Sequence, residues 1–138
     1  MTFYPEALQE LVEEFQEVED KRERLEMLFE LADEIVELPA TEWSEETRVR
    51  GCQSEAHVRV RIEDGLVHFF GAADAKLVQG LMGVLSIAME GLTPAQAVLI
   101  RVDFAQEMGV TNTVTPSRSN GFRNMYDKVM NEIRASVE

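Results

Sequence analysis

Apolar positions recur at three- and four-residue spacing through the first third of the chain. Leu8, Leu11, Val12 and Phe15 make one stripe; Leu25, Leu28, Phe29, Ala32, Ile35 and Val36 make a second. Each is the signature of an amphipathic helix with acids on its outer face. Pro39 closes the second helix, and Pro39–Glu46 reads as a connector in which Trp43 is a packing anchor. At Arg48 the period shortens to two. Arg48, Val49 and Arg50 alternate, and Val58, Val60 and Ile62 then alternate with Arg59 and Arg61, which predicts strands with one wetted face. Glu63-Asp64-Gly65 is a turn signal, since Asp-Gly favours the positive φ angles of a tight hairpin. Leu66–Phe70, closed by Gly71, supplies a third, more buried strand.

Asp74 is a good N-cap for a helix running to about Glu90. Leu77, Val78, Leu81, Met82, Val84, Leu85, Ile87 and Met89 make that helix apolar nearly all round, as a central buried helix is. Gly80 and Gly83 lower its propensity and allow a neighbouring element to come close. Thr93-Pro94-Ala95-Gln96 has the form of a capping box with proline at the first helical position. An irregular segment through Phe104 and Met108 follows. A last helix starts around Ser117–Asn120, with Phe122, Met125, Tyr126, Val129 and Ile133 on one face. Strands flanked by helices on both sides in the sequence predict an α+β fold: a three-stranded antiparallel sheet covered by helices. At 138 residues and without an internal repeat, the chain is expected to form one domain, residues 1–138.

Charge changes this picture unevenly. The formal net charge is −13, and all of the excess falls in residues 1–46, which hold 16 Asp and Glu against 3 Lys and Arg. Such a surface repels phosphate backbones, so nucleic acid is not an expected partner. It is either a pair of solvated helix faces or an acidic docking surface for a basic partner. No apolar run approaches the ~18 residues of a membrane span. Met1–Glu6 lacks a cationic stretch followed by an apolar one, so no secretory leader is expected and a cytoplasmic protein is.

One cysteine, Cys52, excludes an internal disulfide. With only His57 and His68 to join it, it offers no close ligand pair for zinc or an iron–sulfur cluster, and no bound metal is expected. Cys52 is left to act as a thiol. It lies in Gly51-Cys52-Gln53-Ser54, between two predicted strands and so at a loop tip. A lone cysteine is commonly a small buried hydrophobe, but the glycine and the two polar neighbours suit an exposed loop, where reactive groups are often carried. Nucleophilic sulfur chemistry needs the thiolate, which a cationic neighbourhood favours. Arg48, Arg50, Arg59 and Arg61 on the flanking strands either provide one or only solvate the sheet. His57 is a second candidate partner for the thiol across the hairpin. No nucleophile–base–orienter set of a thiol protease is present. In Thr115-Pro116-Ser117-Arg118-Ser119-Asn120-Gly121 several residues serve as caps. Arg118, however, puts a cation at a helix N-terminus, against the macrodipole. That placement marks it for a long-range contact.

At these residues the chain resembles the SufE family of sulfur-transfer proteins. Four stretches carry the resemblance: Arg50-Gly51-Cys52-Gln53-Ser54, Asp74-Ala75-Lys76-Leu77-Val78-Gln79-Gly80-Leu81, Leu92-Thr93-Pro94, and Val114-Thr115-Pro116-Ser117-Arg118-Ser119-Asn120-Gly121-Phe122. The resemblance implies that Cys52 takes persulfide sulfur from a cysteine desulfurase, stimulates it, and delivers sulfur to an iron–sulfur scaffold complex. Gly51, Gln53, Ser54, His57, Asp74 and Arg118 would support and control the loop. On this view the chain is a carrier and not itself an enzyme, and the pyridoxal phosphate belongs to the desulfurase, so this chain needs no cofactor. The resemblance also suggests a homodimer, although the arginine-rich strands oppose an apolar sheet interface. The departure is Ala56-His57, where the family usually has an aliphatic residue and then tryptophan. Trp43 is expected to fill part of the missing volume. Three rival expectations are an iron–sulfur scaffold, which would need several ligand cysteines; an adaptor with a merely structural Cys52; and a redox-sensing thiol.

Overall fold

The first apolar stripe folds as helix α1, Glu6–Gln16, which buries Leu8, Leu11, Val12 and Phe15. The structure is a computed structural model and describes residues 3–137. Helix α2, Lys21–Glu30, is capped by the Asp20 carboxylate, which accepts from the Arg22 backbone. Arg24 donates from Nη1 to the Val18 and Glu19 carbonyls and from Nε to Thr113 Oγ1. It thereby closes the α1–α2 turn and fastens it to the far side of the domain.

Helix α2 ends sooner than its apolar spacing predicts. A 3-10 turn covers Leu31–Glu34, and Val36–Glu37 then pair as a short strand, β1. The β-branched pair Ile35-Val36 favours this extended path, and Ser86 Oγ donates to the Glu34 carbonyl that no helix bond satisfies. A second 3-10 turn, Ala40–Glu42, follows. Strands β2, Ala56–Glu63, and β3, Leu66–Ala73, form the predicted antiparallel hairpin, with Asp64 and Gly65 both at positive φ in its turn.

The sheet order is β1-β3-β2 and β1 runs parallel to β3, so the sheet has three strands but is mixed where an all-antiparallel one was expected. Residues 48–50 do not form its third strand. A turn at Ser44–Thr47, held by Thr47 and Arg48 backbone bonds to the Ser44 carbonyl, uses up the approach. Gly51 at φ +77° turns the chain out again. Between them lies one isolated bridge, Arg48 to His57, with Val49 N donating to Ala56 O and Val58 N to Thr47 O.

Helix α3, Lys76–Met89, is the buried helix. It starts after Ala75 without a side-chain cap, because the Asp74 backbone is still tied to the sheet side. The capping box at Thr93 and Gln96 opens α4, Pro94–Ala97, as expected. The stretch read as irregular contains two short helices, α5, Asp103–Glu107, and α6, Val110–Thr113. Helix α7, Pro116–Ser136, is capped by Thr115 and buries Phe122, Met125, Tyr126, Val129, Met130 and Ile133. One core joins these faces, with Phe15, Phe69, Phe104, Leu81, Met82 and Leu85 fully buried. The only polar residues buried with it, among those described, are Thr47, His57, Ser86 and Thr113.

Gly80 and Gly83 are where the second layer meets α3. A Cβ at Gly80 would run into the Leu28 carbonyl, and one at Gly83 into the Leu31 carbonyl. Both obstacles are backbone, which cannot rotate away. Alanine at either site gains about 1 kcal/mol of helix propensity but forces the 28–34 segment off α3. Gly80→Ala and Gly83→Ala should each lower unfolding free energy by a net of about 2 kcal/mol in urea titration; unchanged or higher stability would contradict this packing.

Candidate functional site

Cys52 is partly exposed on the loop that joins the Arg48 bridge to β2. Four contacts lay this loop along the start of α7. Gly51 faces Asn124, whose side-chain amide occupies the place a Cβ at residue 51 would need. Together with its positive φ, that leaves glycine as the residue that fits without strain. Cys52 sits over Gly121; a Cβ added to Gly121 would come to 3.6 Å from the sulfur. Gln53 Nε2 donates to Ser117 Oγ at 3.4 Å. Arg118 Nη1 donates to Ser54 Oγ at 2.5 Å. Residues 117, 121 and 124 fall on one face of α7 by their four- and three-residue spacing, and the loop runs along it in the opposite direction. The polar motif before Phe122 therefore does more than cap a helix. Arg118 has the long-range partner that its position against the macrodipole implied.

The loop's other end is anchored separately. The Glu55 carbonyl accepts from Asp74 N at 3.1 Å, so the end of β3 holds the exit of the loop. The Glu55 carboxylate lies 3.2 Å from His57 Nε2. His57 is 3% exposed, and its Nδ1 lies 2.8 Å from Thr47 Oγ1. A carboxylate only accepts, so Nε2 is the donor to Glu55, while Nδ1 and the threonine hydroxyl share the second hydrogen bond. Trp43 stacks on His57 with centroids 4.7 Å apart and planes 17° apart, while its Nε1 donates to the Leu38 carbonyl. The indole thus fills the volume beside residue 57, as expected from the absent tryptophan. Both nitrogens of His57 are occupied, which fits a support for the loop's exit better than a proton acceptor for Cys52.

The four strand arginines all pair with carboxylates of the connector. Arg59 and Arg61 both bind the Glu42 carboxylate at 2.7 Å. Arg48 and Arg50 approach Glu45 at 3.9 and 3.8 Å. Arg50 adjoins Gly51 in the chain, but Arg118 is the guanidinium that hydrogen-bonds to the loop, among the described residues. Asp74 is exposed beside the loop's exit and contributes its backbone there. Sequence reasoning missed Thr47, Glu55 and Asn124. Asn124 follows Gly121 by three residues, a spacing that would have placed it on the same helix face.

A sequence model of the SufE family, described as an Fe-S metabolism associated domain, matches residues 9–133. An uncharacterised SufE-like protein of Synechocystis sp. is 34% identical over 122 residues, which covers 88% of this chain and 77% of that protein. A chloroplastic/mitochondrial SufE-like protein of Arabidopsis thaliana is 31% identical over 122 residues, covering 88% of this chain and 33% of that longer one. An uncharacterised SufE-like protein of Rhizobium meliloti is 25% identical over 131 residues, covering 91% and 94%. The solution structure of a hypothetical protein from Thermus thermophilus superposes with a TM-score of 0.84 over 98% of both chains at 24% identity, so the two share a fold. The α+β fold and these matches define a domain associated with iron–sulfur metabolism. The chain belongs to the SufE family. Among the described residues no helix is long and apolar enough to cross a membrane.

The clasp can be tested at its cationic end. Arg118→Ala removes the hydrogen bond to Ser54 but no core packing. It should raise the rate of Cys52 modification by a bulky maleimide several-fold, while stability falls by no more than about 1–2 kcal/mol. A modification rate equal to that of the parent would show that Arg118 does not hold the loop.

Proposed function

We propose that this protein is a sulfur carrier, loaded on Cys52 by a cysteine desulfurase. The desulfurase holds a persulfide on its own cysteine. The Cys52 thiolate attacks the outer sulfur, a Cys52–sulfur bond forms, the desulfurase sulfur–sulfur bond breaks, and the electron pair leaves with the desulfurase thiolate. One persulfide is lost and one gained, so no outside oxidant or reductant is required. The step is thiol–disulfide exchange in form, governed by thiolate fraction and by access. A second transfer then passes the sulfur to the complex on which iron–sulfur clusters are built. The chain is consumed and regenerated stoichiometrically, as a carrier is, and the pyridoxal phosphate chemistry remains with the desulfurase.

The observation that carries this reading is the seating of the sole thiol. Cys52 is neither buried in the core nor free on a mobile tip; it rests over Gly121 with both flanks of its loop fastened. Membership of the SufE family supplies the sulfur-handling context. Gly51, Gln53, Ser54 and Arg118 hold the loop against α7. Glu55, His57 and the Asp74 backbone hold its exit. We assign Asp74 and Arg118 to control of loop and interface, since Arg118 bonds Ser54 and the Asp74 backbone bonds the Glu55 carbonyl without either being part of the core.

Because the carrier drains the desulfurase persulfide, it should accelerate alanine release from cysteine. Added wild-type chain should raise desulfurase turnover several-fold under mild reductant, and Cys52→Ser should abolish that gain without altering the fold by circular dichroism. Equal stimulation by Cys52→Ser would make the chain an adaptor and remove the carrier reading.

A further inference from the structure

A cavity of roughly 400 Å3 opens at the loop's exit, away from the α7 clasp. It is lined by residues that include Trp43, Ala72, Ala73, Asp33, Glu37 and Gln79. Ala72 is the strand partner of His57, and Ala73 that of Ala56, so the cavity backs onto the exit anchor.

The donors around it are already spent. Trp43 Nε1 is given to the Leu38 carbonyl and Gln79 Nε2 to the Ala73 carbonyl at 2.8 Å, which leaves the Gln79 side-chain oxygen as an acceptor. Among the described residues no cationic one lines the cavity. Asp33 and Glu37 have no cationic partner within ion-pair distance among the described residues. What remains is an indole, small apolar residues and three side chains that offer oxygen acceptors. That combination repels anions and suits a cation on an apolar stem.

We propose that this cavity receives an arginine side chain of a partner protein. Arginine fits better than lysine, because a planar guanidinium stacks on an indole and bridges separated acceptors, whereas an ammonium is a compact and strongly hydrated charge. The charge imbalance of residues 1–46 draws a basic partner to this side of the domain. Occupancy would also be felt at the thiol loop. Trp43 contacts His57, His57 meets Glu55, and Glu55 closes the loop. The docking site stands on its own lining and does not depend on the sulfur-carrier reading.

Trp43 is the only tryptophan, so all tryptophan fluorescence comes from a residue that lines this cavity. The full chain carrying Cys52→Ser, which removes all thiol chemistry, would be titrated with N-acetyl-arginine amide, with the neutral isostere N-acetyl-citrulline amide and with free L-arginine. A saturable change is expected with the arginine amide and not with the citrulline amide. It should weaken about tenfold in Asp33→Asn/Glu37→Gln, since charge-assisted hydrogen bonds are lost. No saturable change up to the solubility limit, equal binding of the citrulline amide, or an unweakened double variant would overturn the proposal. Tighter binding of free arginine than of its blocked amide would also overturn it, because the cavity would then be a small-molecule site.

Discussion

The approach of the 51–54 segment to the first turns of α7 is the constraint on which the site depends. It requires glycine at residue 51, where a side chain would meet Asn124 in a backbone conformation that L-residues seldom adopt. Gly121 lies beneath Cys52, with room for a Cβ at ordinary contact distance from the sulfur. The approach also requires the cation at Arg118, which is unfavourable at a helix start and is recovered by the bond to Ser54. Side-chain hydrogen bonds of this kind contribute about 1 kcal/mol each, somewhat more when one partner is charged. The α3 packing at Gly80 and Gly83 is backbone against backbone. The loop is therefore held less firmly than the domain it lies on.

The two anchors of the loop use different chemistry, and this separates their roles. On the α7 side the contacts are a hydroxyl, an amide and a guanidinium at the surface. On the exit side they pass inward, from Glu55 to a buried histidine and a stacked indole. A partner meeting both sides would find a mixed polar edge by Arg118 and an acidic, acceptor-rich hollow by Trp43. The acidic first third of the sequence thus becomes a local property: its carboxylates at Asp33 and Glu37 fall beside β3, next to the loop, rather than only on distant helix faces.

Much of this was legible in residue order. Period-two alternation located the hairpin, Asp64-Gly65 its turn, and the polar neighbours of Cys52 its loop. Arg118 stood out because it violated a local rule. What periodicity could not show was which strand completes the sheet. Val36–Glu37 is two residues long and belongs by pattern to the preceding helix, and its pairing with Phe70 and Gly71 is set by packing far along the chain. Residues 48–50 alternate as a strand does, yet the turn before them and Gly51 after them leave room for one bridge. The strand arginines misled for a related reason. Alternation gives the face a residue occupies but not its partner, and Glu42 and Glu45 come from the connector, which carries no periodic signal.

The most direct test of the central claim is the intact mass of the chain after incubation with a cysteine desulfurase and cysteine, taken without reductant. The account predicts a gain of one or more sulfur atoms, located to the Cys52 peptide and absent from Cys52→Ser. A chain that stays at its unmodified mass while the desulfurase itself carries persulfide, or a gain that persists in Cys52→Ser, would contradict it.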